Sequence, residues 1–299
     1  MQGWVEDLIG PLDCPLQDIS AGAWRRIACV DGRAWPPVDA RFERRKFLAR
    51  AGGSKWLVKF AGLGQEGERK LRVARALAEA GLGPEVAGLC YGFIVQRWIE
   101  GRAIHRGDDR FCLIETIARY LGFRATRLQT SLPGAPLERL VQMALHNIGC
   151  AIGTRAADRY APLLRNGLRL ESKVRRIDSD NRLHTWEWIR SDEGQLIKAD
   201  ALDHSAGHDL VGAQDVTWDI AGAVVEHELS ESETDELCRL VGERRGQPID
   251  PGLLAVLKIS YLAFQLGLWT TAAEAAVGAE QARLADFSLR YRRALEIMA

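Results

Sequence analysis

Apolar runs broken by turn residues occupy the first third of the chain. Lys46–Ala51 and Lys55-Trp-Leu-Val-Lys-Phe-Ala61 read as strands joined through Gly52-Gly53-Ser54, so the spacing predicts a hairpin. Trp24 to Val30 has the same apolar character and is read as a further strand. Leu71, Ala74, Leu77 and Ala78 then recur at helical spacing within Glu68–Ala80, and Gly81-Leu-Gly-Pro84 supplies the stop. Cys90 to Ile99 is read as one more strand, closed by Glu100-Gly101. Beyond residue 101 the period changes. Helical spacing dominates Thr116–Leu121, Leu137–Ile152, Trp218–Glu228, Glu231–Gly242, Leu253–Leu268 and Ala282–Leu295, with one short strand pair around Glu193-Gly194. Strands followed by helices predict an α+β arrangement in two lobes, residues 1–98 and 99–299, with a connector near Gln96–Gly101.

Composition narrows the class without naming a chemistry. The chain has 299 residues, 47% hydrophobic and 27% charged, as expected of a globular enzyme. Forty basic and forty acidic residues cancel, so no bulk field favours nucleic acid or an anionic membrane. Six scattered cysteines without a CxxC pair fit neither a zinc knuckle nor a disulfide framework, and suit a reducing cytoplasm. The first residues lack the basic and apolar regions of a secretion signal. Gly252–Ala273 is long enough to span a bilayer, but Lys258, Ser260, Gln265 and two threonines make a buried core helix the expectation.

Lys59 is the first chemical candidate, because an ammonium inside an apolar strand is costly unless paired. The bland alternative is an edge-strand lysine facing water. A helix that follows such a strand can supply a pairing acid. Glu68 stands three positions before Leu71 and is the candidate, with Glu66 and Glu79 as competitors. Gly62-Leu-Gly64-Gln-Glu-Gly67 is a literal GxGxxG and opens a dinucleotide-binding alternative, with Glu85 as the ribose acid. The hairpin before it and the missing strand–helix alternation after it argue against that reading. Acids and histidines crowd the region Asp178–His204: Asp180, His184, Glu187, Asp200 and Asp203. Asp200 and Asp203 suit magnesium, which needs oxygen ligands plus phosphate. His184, His204 and His208 raise a transition-metal alternative, without HxH or HExxH spacing to support it. Asp215 reads as a helix N-cap, and Asp219 falls inside an apolar helix, where it needs donors such as the amides of a loop.

This order of parts resembles the aminoglycoside phosphotransferase and choline kinase group of protein-kinase-like enzymes, over roughly residues 40 to 270. Asp215-Val-Thr-Trp-Asp219-Ile-Ala221 looks like the family's Asp-x-x-x-Asp-Leu-Ala element. The resemblance implies a small antiparallel-sheet N-lobe with one helix and a mainly helical C-lobe. It makes Lys59 the phosphate-holding lysine, Glu68 its helix partner, and Phe93–Trp98, with Gln96 and Trp98, the adenine-contacting strand. His184-Thr-Trp-Glu187-Trp-Ile189 aligns with His-Pro-Gly-Asn-Ile-Leu, which puts Glu187 at the metal-binding asparagine and makes His184 a catalytic-loop residue. Arg182 then stands where the catalytic aspartate belongs and cannot act as a base, so Asp180 is the candidate carboxylate. Magnesium would be held by Glu187 with Asp200 or Asp203. The implied activity is phosphoryl transfer from ATP or GTP to a hydroxyl of a small molecule. A pseudokinase that binds nucleotide without turnover is the alternative from another class.

Overall fold

The computed structural model describes residues 1–29, 31–203 and 210–298. The chain forms two compact units, Met1–His105 with Thr185–Asp203, and Arg106–His184 with His204–Ala299. The sequence placed a single boundary after residue 98. Strand pairing explains the difference: the late hairpin extends a sheet begun by a strand at Gly101–Ala103, so it belongs with the first unit.

In that first unit α1 (Gln2–Ile9), β1 (Gln17–Asp18), α2 (Arg25–Ala28), β2 (Lys46–Ala51) and β3 (Ser54–Phe60) lead into α3 (Gly64–Glu79). Then come β4 (Val86–Cys90), β5 (Phe93–Arg97) and β6 (Gly101–Ala103), and, after the excursion into the second unit, β7 (Trp188–Ser191) and β8 (Leu196–Lys198). The larger sheet has the order β1-β2-β3-β5-β4, with every pairing antiparallel. Gly52 and Gly53 both have positive φ, as a two-residue hairpin loop requires, and set the register Ala51 opposite Ser54. The expected Cys90–Ile99 strand forms as β5 but starts only at Phe93, because Tyr91 and Gly92 both take positive φ and turn the chain out of β4, which ends at Cys90. Trp24–Val30 is not a strand: Trp24, Ile27 and Ala28 lie at helical spacing and Ala28 N–H bonds the Trp24 carbonyl, while Val30 is outside the described residues. Trp56 and Val58 on β3 pack with Val5, Ala49, Ala51 and Val95 into one core. Lys59, one residue on from Val58, projects from the opposite face.

The second unit is helical. It holds α4 (Arg110–Arg127), α5 (Leu137–Ala151), α6 (Thr154–Asn166), α7 (Val216–Glu226), α8 (Glu231–Arg245), α9 (Pro251–Ala275) and α10 (Gly278–Met298). Leu137 and Leu140 of α5, Trp218 and Ala221 of α7, and Leu253, Leu257 and Tyr261 of α9 share one buried cluster. Among the described residues α9 alone is long and apolar enough to cross a membrane, and 61% of that apolar window is buried inside the protein. Asp215 starts α7 as the sequence predicts, accepting from Thr217 N at 2.9 Å, and at α8 Ser230 and Glu233 form a capping box.

Candidate functional site

Lys59 is 6% exposed, and an ammonium so far from water needs negative partners. Asp200, just beyond β8, accepts from Nζ through both carboxylate oxygens at 2.7 and 2.8 Å. Asp203, three residues on, makes an ion pair with the same Nζ. Burial alone would push the Lys59 pKa down, but the two carboxylates more than reverse it and hold it above its ordinary value. The sequence left the two acids as alternatives; the structure brings both to this lysine.

The helix partner is not Glu68. Residues on α3 advance by about 100° each, and its buried face runs through Gly67, Lys70, Leu71, Ala74 and Leu77, with Glu68 outside it and exposed. Facing inward is Lys70, 2% exposed, with Nζ 2.8 Å from Asp203 Oδ1 and 3.4 Å from Glu66 Oε1. Asp203 therefore sits between two ammonium groups. Burial would raise its pKa, yet Lys59 and Lys70 bring it down to about 2. Lys70 was legible as a lysine beside Leu71 on the helix's own apolar stripe, the same kind of signal that singled out Lys59.

Glu187 is held by a third lysine. Lys198 of β8 is completely buried, 2.7 Å from Glu187 Oε2, and also donates to the Asp200 carbonyl. A metal at Glu187 would compete with this buried ammonium, and at Asp203 with an ammonium on each oxygen. Asp200 also meets Lys59 through both oxygens, but its side chain is the most open of the three, 28% exposed against 8% for Asp203 and 7% for Glu187, which makes it the carboxylate best placed for an incoming ion. No group of three or more His, Cys, Asp or Glu able to hold a metal occurs among the described residues, and His204 and His208 lie outside them.

Gln96 is buried on β5 opposite Leu57, on the strand next to the one bearing Lys59, and Trp98, one residue past the end of β5, donates its amide to the Lys55 carbonyl. The dinucleotide alternative fails on topology, since the strand before Gly62-x-Gly64-x-x-Gly67 lies between two antiparallel neighbours instead of in a parallel sheet. The close approach of this loop is internal: a Cβ on Gly67 would lie 2.4 Å from the Gly62 carbonyl oxygen. Glu85 is occupied with Arg97.

In the second unit Asp219 accepts the amides of Asp180 and Asn181, each at 2.8 Å, which is the loop-capping role its burial demanded. Burial, followed by the charge of Asp180, raises the Asp219 pKa to about 7. Asp180 itself is 1% exposed, accepts from the Tyr120 hydroxyl, and has Arg124 Nη2 at 3.9 Å. Enclosed this way, Asp180 faces no solvent, so the structure places it as a loop anchor where the sequence reading had it as the base. Tyr120 and Arg124, four residues apart on one face of α4, are the partners that sequence reading missed. His184 is also fully buried, its ring 5.8 Å from that of Trp269 and 5.9 Å from that of Phe287, with Nδ1 3.7 Å from Glu226 Oε1. It packs the helical core and contacts no solvent, which removes it from the catalytic set. Asp109 caps α4, and Glu233 bonds Arg110 at 2.8 Å.

No protein-family model matches the sequence, and no curated protein matches it. Solved structures do. A putative aminoglycoside phosphotransferase from Ralstonia eutropha JMP134 aligns with TM-score 0.59 and 13% identity, over 99% of this chain and 96% of that one. The spectinomycin phosphotransferase solved with ADP and spectinomycin gives TM-score 0.57 and 12% identity, over 97% and 92% of the two chains. The choline kinase LicA from Streptococcus pneumoniae gives 0.54 and 19%, over 82% and 88%. At these identities the likeness is one of fold: the chain has the protein-kinase-like fold of choline kinases and aminoglycoside phosphotransferases.

Proposed function

We propose that this chain binds ATP or GTP and transfers the terminal phosphoryl group to a hydroxyl of a small molecule. The observation that carries the reading is Lys59, buried on β3 and shared between Asp200 and Asp203, the arrangement a phosphate-holding lysine needs before its ligand arrives. Lys59 binds phosphate oxygens, and Asp200 is the carboxylate that would hold magnesium entering with the nucleotide, where the ion neutralises phosphate charge. Gln96 and Trp98 are the assigned nucleotide contacts. The folds of an ADP-bound spectinomycin phosphotransferase and of an AMP-bound choline kinase support nucleotide binding and a small-molecule acceptor.

General-base catalysis contributes about 10²–10⁴-fold, whereas phosphoryl transfer rests mostly on positioning and charge stabilisation. With Arg182 at the base position and Asp180 enclosed, turnover is expected to be slow. The same two observations favour a second reading, a nucleotide-binding module without turnover. A thermal-shift titration with ATP or GTP and magnesium, followed by nucleotide-consumption assays over a panel of hydroxyl acceptors, separates them. Stabilisation with acceptor-dependent consumption supports the phosphotransferase. Stabilisation without consumption supports the binding module, and no stabilisation by either nucleotide overturns both.

A further inference from the structure

Resting on the nucleotide-binding reading, we propose that Lys70 is a positioning residue for Lys59, acting through Asp203. In this chain the acid that orients the strand lysine comes from the segment after β8, and the helix contributes a cation that holds the acid in place. Three observations carry this. Asp203 is 8% exposed on its side chain and contacts Lys59 with one oxygen and Lys70 with the other. Glu68, which the resemblance assigns to the pairing role, points to solvent. Glu66 lies 3.4 Å from Lys70, but its side chain is 40% exposed and it also bonds Arg69, so it does not replace Asp203.

Charge explains why the helix carries a lysine. Lys59 with Asp200 and Asp203 would form a group of net charge −1, which repels a polyphosphate. Adding Lys70 makes the four-residue cluster neutral and holds Asp203 through its other oxygen, so that Lys59 stays oriented and able to donate to phosphate oxygens. Electrostatic terms between groups this close and this dry are large enough to control affinity. A leucine or methionine on the stripe would pack as well as Lys70 but would not balance Asp203.

The test is titration of the intact chain with ATP and, separately, with inorganic tripolyphosphate, for wild type, Lys70→Met and the double variant Lys70→Met/Asp203→Asn. Unfolding without ligand is measured in parallel. Lys70→Met is expected to weaken both ligands at least about tenfold. The double variant restores neutrality around Lys59 and is expected to recover most of that loss, which a purely structural role for Lys70 would not produce. If Lys70→Met does not fold, Lys70→Gln takes its place, keeping a donor toward Asp203 without the charge. Unchanged affinity in the single variant, or a double variant no tighter than the single, overturns the proposal and leaves the nucleotide reading standing. A wild type that binds neither ligand overturns both.

Discussion

At Lys59 the cost of burying an ammonium dictates what must surround it, and the same rule recurs at Lys70 and Lys198. Three inward lysines face three carboxylates, Asp200, Asp203 and Glu187. A lysine in an apolar run is visible in sequence; the partners of Lys59 and Lys70, more than a hundred residues away, are not. This is why Lys59 could be singled out while Glu68 was the wrong acid. Asp203 offers a pH test. Folding lowers its pKa from 3.8 to about 2, so the folded chain binds fewer protons than the unfolded one in that interval. Its stabilising contribution is therefore present above about pH 4 and lost as pH falls through about 2. Asp203→Asn is expected to unfold roughly 3 kcal/mol more easily than wild type at pH 7, by denaturant titration. That gap should shrink steadily on acidification toward pH 2; a gap independent of pH contradicts the assigned charge.

Elements were legible where their period was unbroken. Leu137–Ile152 and Lys46–Ala51 stand close to where spacing put them, because one buried face fixes each pattern. Two errors came from turns and length: Tyr91-Gly92 splits a run read as one strand, and Trp24–Ala28 is too short for its apolar residues to separate the two periods. The β7–β8 hairpin shows how an element can position chemistry, since Lys198 on β8 holds Glu187 just before β7 and, through the Asp200 carbonyl, the start of the segment that bears Asp200 and Asp203. Breaking a buried pair by removing one partner costs about 3–5 kcal/mol, whereas an apolar or neutral pair of similar volume is often tolerated. Lys198→Met and Glu187→Gln should each destabilise the chain by that amount. The double variant should be more stable than either single one in a denaturant-unfolding cycle; additive losses would deny the pair.

For the whole molecule, the fold follows from the strand-to-helix switch near residue 101, and the sequence carried it as far as the architecture itself. The catalytic loop was not legible. Asp180, His184 and Glu187 stood out as residue types, but their environments are set by Tyr120, Arg124, Glu226 and Lys198, which no local pattern announces. The inward lysine and the carboxylates that meet it carry the functional reading. Calorimetric titration of wild type and Lys59→Met with ATP and magnesium tests that most directly. The expected result is saturable binding by wild type and at least tenfold weaker binding by the variant, with both folded. Equal binding by the two proteins, or none by the folded wild type with ATP or GTP, would contradict the account.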